Sequence, residues 1–171
     1  MRPVTPVLRT ALALLAGVLV GVVAAPTVAH ASHPTLLQRF RADSGDDCQY
    51  GSAEGVLAFR AVHPPQQPAV DISGTVTDRP ANGGSILCPD DGRYTVAYFT
   101  GYAGNLEVDW QFRRVDGGIL AFDLVLGLNS TSARPIDRVV IQVCRFSYVP
   151  NDRYYCGSPQ TYVPNPTTPQ T

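Results

Sequence analysis

The sequence predicts an all-β domain. About seven antiparallel strands are expected to fold as a sandwich or a small barrel, tied by two disulfides and preceded by an N-terminal signal helix. Three observations carry that expectation. Apolar and polar residues alternate with period two in segment after segment. Clusters of Gly, Pro, Asn and Asp separate those segments at short spacing. Finally, Cys48, Cys88, Cys144 and Cys156 all follow an export-type leader, and an even cysteine count in that setting reads as a disulfide framework.

The leader comes first. Residues 1–9 carry Arg2 and Arg9 and no acid, residues 10–25 (TALALLAGVLVGVVAA) are apolar, and PTVAHA ends in Ala29-His30-Ala31. That ending is the small-x-small pattern that signal peptidase cuts. The apolar stretch is shorter than the roughly twenty residues a bilayer span needs. Residues 1–31 therefore read as a secretory signal peptide. The mature chain is expected to be extracellular, with no stable membrane anchor after cleavage.

Composition bounds the partners. Loss of Arg2 and Arg9 shifts the formal net charge from −1 to about −3. A negative chain whose only basic doublet is Arg113-Arg114 attracts neither nucleic acid nor an anionic membrane. The chain has no Lys, which excludes Schiff-base chemistry. Its Arg- and Ala-rich make-up suits a GC-rich bacterial genome.

Residues 32–51 read as a polar N-terminal arm with a short apolar patch at Leu36, Leu37 and Phe40. A single β-domain fills 52–163. Its strand segments are 52–62, 69–78, 93–100, 106–115, 119–128, 137–148 and 153–163. HPPQQP (63–68) breaks the first two apart, and RPANGG (79–84) and PDDG (89–92) are turn clusters. Asp116-Gly117-Gly118 reads as a tight hairpin. Residues 164–171 form a Pro- and Thr-rich tail with the composition of disorder.

The clearest strand is 106–112. Leu106, Val108, Trp110 and Phe112 alternate with Glu107, Asp109 and Gln111. That pattern describes a half-buried strand with Trp110 in the core and the acids on the wet face. Further on, Leu120, Phe122, Leu124, Leu126 and Leu128 form one apolar stripe.

One disulfide follows from register. If Val149-Pro150-Asn151 closes a hairpin, Cys144 stands opposite Cys156, Phe146 opposite Tyr154 and Tyr148 opposite Asp152. Residues opposed at a non-hydrogen-bonded site lie about 4.5 Å apart at Cα, within disulfide reach. Cys144–Cys156 is thus the favoured bridge, and Cys48–Cys88 follows by elimination. Likeness to an immunoglobulin domain stops at architecture. Trp110 does precede a late strand holding Cys144. However, Cys88 lies before its strand, and Gln142 occupies the place of the corner tyrosine.

No motif names a reaction. GSAEG (51–55) puts Ser52 in the wrong position for a nucleophile elbow. His33 and His63 read as loop histidines, and zinc spacing is absent. Asp109 and Glu107 are the carboxylates a glycosidase would need, yet on a wet strand face they read as solvating charges. Two clusters are more informative. Asp46, Asp47, Asp90 and Asp91 flank the Cys48–Cys88 bridge, where Ca²⁺ could neutralise them; the plainer reading is a pair of solvated turns. Tyr148, Tyr155 and Tyr162 gather near the C-terminal hairpin and could stack on sugars or dock proteins.

The leading functional expectation is a secreted, non-catalytic β-sandwich module. It would act by binding an extracellular protein or polysaccharide, in the medium or at the envelope. A small inhibitor of an extracellular hydrolase, presenting loops 79–92 or 149–153, is the alternative, and an extracellular hydrolase is the second.

Overall fold

The computed structural model describes residues 36–60, 69–79, 88–89, 91–128 and 134–164. The signal segment, His33, His63, most of the 79–92 loop with Asp90, and the tail beyond residue 164 lie outside them. Ser32–Thr171 form one compact unit.

The described residues contain no helix. Their strands are β1 (Leu36–Asp43), β2 (Gly51–Phe59), β3 (Val70–Asp78), β4 (Arg93–Ala103), β5 (Leu106–Val115), β6 (Gly118–Leu126), β7 (Arg138–Ser147), β8 (Tyr155–Cys156) and β9 (Gln160–Tyr162). One antiparallel sheet runs β1-β2-β3-β6. The other runs β5-β4-β7-β8, with β9 also paired to β7. The inner faces meet in an apolar core. Phe40, Leu57, Phe59, Ile72, Val76, Phe122 and Leu126 come from the first sheet, and Phe99, Val139, Ile141 and Val143 from the second. The architecture is therefore sandwich-like, and both bridges are present. Cys48–Cys88 and Cys144–Cys156 have Cα separations of 5.7 and 4.0 Å.

Three sequence expectations need correction. The stretch read as a polar arm supplies β1, an eight-residue strand that pairs with β2 and buries Phe40 and Ala42. Its period-two pattern is only partial because it is an edge strand. Asp116-Gly117-Gly118 does not close a hairpin. Gly117 and Gly118, at φ 73° and 93°, swing the chain from one sheet to the other, so that β6 pairs with β3. The tight turn lies at Gly104-Asn105, between β4 and β5. The strand order also departs from an immunoglobulin domain. There the second strand neighbours the fifth; here β2 neighbours β3.

The third correction concerns Trp110, which is not core. It is 53% exposed, and Leu106 and Phe112 are exposed with it. The alternation is present but inverted, for two reasons. A register shift at Gly101/Tyr102 inserts Val108 as an extra residue, and Val108 packs on the core. Beyond it, the inner side of β5 lies along the free edge of β6, whose backbone needs partners. Gln111 donates to the Val125 carbonyl at 2.7 Å and Arg113 to the Asp123 carbonyl at 3.2 Å. Asp109 accepts from the Gly127 amide at 2.8 Å. Polar residues turn inward to close that edge, so the aromatic residues turn out. Tyr162 closes the opposite edge in the same way. Its hydroxyl accepts from the Arg41 amide at 3.0 Å and donates to the Arg41 carbonyl at 2.7 Å.

Candidate functional site

The outer face of the five-stranded sheet follows from strand parity and register. On β4, Tyr94, Val96, Tyr98, Thr100 and Tyr102 share the outer side, because Thr95, Ala97, Phe99, Gly101 and Ala103 are buried inward. Register then sets Arg114 beside Val96, Phe112 beside Tyr98 and Trp110 beside Thr100. On the other flank, Phe146 lies beside Tyr94, Cys144 beside Val96 and Gln142 beside Tyr98.

The rings form two groups on this face. Trp110 and Phe112 stack at 6.1 Å with planes 20° apart, and Phe112 meets Tyr98 at 6.2 Å. Tyr94 stacks on Phe146 at 5.8 Å, and Phe146 on Tyr154 at 5.2 Å with planes 17° apart. Tyr148 closes on Tyr94 at 5.2 Å. The Arg114 guanidinium lies 3.7 Å above the Tyr94 ring. Cross-strand aromatic pairs of this kind stabilise a sheet modestly, each by about 0.2–1 kcal/mol. They do not need to be open to water to do so. Yet Phe112 is 49% exposed, Tyr148 53% and Tyr154 65%.

Two shallow grooves cross this face. One, of about 260 Å³, is bordered by Tyr94, Phe112 and Arg114. The other, of about 960 Å³, runs past Thr100, Glu107, Gln142, Tyr154 and the Cys144–Cys156 bridge. They adjoin, since both are lined by Tyr98, Trp110 and Phe146. Burial, followed by the neighbouring Tyr94 and Tyr154, raises the Tyr98 pKa, so its hydroxyl stays protonated, a neutral donor and acceptor.

A second cluster lies on the inner side of the same sheet. Arg145 shares parity with Val139, Ile141 and Val143 and is fully buried. Its guanidinium pairs with buried Asp78. It also donates to Thr95 Oγ1 at 2.5 Å, to Asp91 at 2.6 Å and to the Arg93 carbonyl at 3.0 Å. Gly51 leaves it room, because a Cβ there would lie 3.2 Å from Arg145 Cδ and 2.9 Å from Thr95 Oγ1. Burial works against the charge. The hydrogen bonds that Arg145 donates to Asp91 and Asp78 outweigh it, and the Arg145 pKa is raised. Tyr155 joins this cluster, donating to Asp91 at 3.2 Å. Burial first, then the charges of Asp46 and Asp91, push its phenol up to about 12.

The tyrosines picked from sequence therefore separate. Tyr148 lies on the aromatic face. Tyr155 turns inward to Asp91, and Tyr162 binds the β1 backbone. Tyr154, passed over in favour of its neighbour, is the exposed one. Asp91 is held by Arg145, and Asp46 accepts from the Ser44 hydroxyl and from the Tyr50 amide at 3.1 Å. Among the described residues no group of three or more His, Cys, Asp or Glu could hold a metal ion. Asp90 lies outside those residues. Glu107 and Asp109 face opposite sides of β5, because the extra residue falls between them.

Compared with protein-family models, with curated proteins and with solved structures, the chain has no match. The reading of this face consequently rests on its own geometry. Sequence reasoning missed Trp110 and Phe112 as surface residues and Arg145 as a buried charge. For Arg145 a signal existed: it continues the inward parity of Val139, Ile141 and Val143.

Proposed function

We propose that the mature chain is a secreted, non-catalytic binding module that acts through the aromatic outer face of its five-stranded sheet. The observation that carries this reading is the exposure of Trp110, Phe112 and Tyr154 on one face of the sheet. Soluble monomers seldom leave a contiguous apolar patch open to water, and where they do it commonly marks a partner or ligand surface. Trp and Tyr, with Arg, are the side chains that dominate recognition energies. The leader and the two disulfides support an oxidising, extracellular setting.

The test is retention. The mature chain is passed over immobilised neutral polysaccharides and, separately, over immobilised culture-supernatant proteins. A Trp110→Ala/Phe112→Ser variant is run beside it. The wild type is expected to be retained by one of the two, and the variant to pass freely with an unchanged circular dichroism spectrum. Equal retention of both forms would contradict the reading.

A further inference from the structure

We infer that the ligand of this face is a neutral oligosaccharide chain lying across the strands from Trp110 to Tyr154. This rests on the binding reading above and adds the chemical class. Three features of the larger groove point the same way.

The first is its mixed lining. Thr100, Glu107 and Gln142 line the groove together with Trp110, Phe146 and Tyr154. The Gln142 amide already donates to the Gly157 carbonyl at 3.0 Å, but a dry protein interface would cover Thr100 and Glu107 with apolar atoms and leave them unpaired, which is unfavourable. A pyranose ring instead offers an apolar C–H face to a flat aromatic and a rim of hydroxyls to an amide, a carboxylate or a threonine. The second is the placement of the rings. Near-parallel pairs, Trp110–Phe112 and Phe146–Tyr154, stand on β5 and on the β7–β8 hairpin, two to three strand spacings apart across the sheet and four to six residues apart along it, roughly 17–25 Å in all. That is room for a chain of sugars, with a stacking platform at each end. The third is charge. Among the described residues lining this groove, Glu107 is the one ionic group. Single-stranded nucleic acid also stacks on aromatic side chains, but it requires a positively charged groove to track its phosphates, and this one has none.

The experiment titrates the mature chain with neutral oligosaccharides of the cellulose, chitin, starch and xylan types, from single sugars to short chains. Trp110 is the chain's single tryptophan, so its fluorescence reports directly from the groove. One series is expected to give a saturable change, with affinity rising about tenfold or more from single sugars to short chains as the second platform is engaged. Calorimetry on Tyr154→Ala should show that gain with length lost, while weak single-sugar binding persists. No saturable change with any series would overturn the inference. So would binding of an oligothymidylate in place of sugars. If sugars fail but Trp110→Ala/Phe112→Ser abolishes retention by supernatant proteins, the sugar inference falls and the binding reading stands. If the wild type is retained by neither matrix, both fall.

Discussion

The two faces of the five-stranded sheet invert the usual arrangement. Its inner side carries a fully buried arginine, Arg145, between Asp78 and Asp91, and turns Asp109, Gln111 and Arg113 inward at the β5 edge. Its outer side carries Trp110, Phe112, Phe146 and Tyr154 toward water. The difference teaches that alternation separates two faces without saying which is inside. Unpaired backbone at the edge of the neighbouring sheet decides that. Where β6 needs hydrogen-bond partners, polar side chains are drawn in, and the apolar row is left for another use.

The largest expected effect comes from breaking the inner cluster. Arg145→Ala leaves Asp78 buried without its cation. Loss of one partner of a buried pair costs about 3–5 kcal/mol, read as a lower midpoint in chemical denaturation. A cost within experimental error would mean that the cluster does not join the sheets.

Next comes the hairpin that links the faces. Cys144→Ser/Cys156→Ser opens a bridge spanning a sequence separation of 12. The expected loss is about 3 kcal/mol, with loosening of Tyr154 from Phe146 visible in the near-ultraviolet circular dichroism. An unchanged spectrum would separate the platform from the bridge.

A smaller effect sharpens the inner side. The Tyr155 phenol is raised from the ordinary 10.0 to about 12, so the unfolded chain ionises first. The stability it contributes is complete below pH 10 and is lost as the pH rises through about 12. Thermal melts of Tyr155→Phe should therefore decline less steeply across that window than those of the wild type. Parallel declines would place the phenol in water.

Much of this arrangement was legible in the sequence. The Cys144–Cys156 register came from one loop and strand parity alone; the pairing is found as read, although the connection is longer than a tight turn, with β7 ending at Ser147 and β8 beginning at Tyr155. Of the stripe Leu120, Phe122, Leu124, Leu126 and Leu128, the middle three are buried in the core, whereas Leu120 and Leu128 at its ends are exposed. The β5 row was not legible, because an extra residue at Val108 and the needs of a neighbouring edge are properties of the assembled sandwich. Asp116-Gly117-Gly118 misled for a related reason: left-handed glycines serve a crossover as readily as a hairpin. Neighbours on a strand such as Tyr154 and Tyr155 face opposite ways, but only the placement of Asp91 selects which is exposed.

The most direct single measurement is the chemical denaturation of Trp110→Ala. A tryptophan 53% exposed on the outer face, stacked on Phe112 and beside Thr100, should cost about 1 kcal/mol when truncated. A loss of about 3–5 kcal/mol, the cost of emptying a core aromatic site, would return Trp110 to the interior and leave the outer face without its platform.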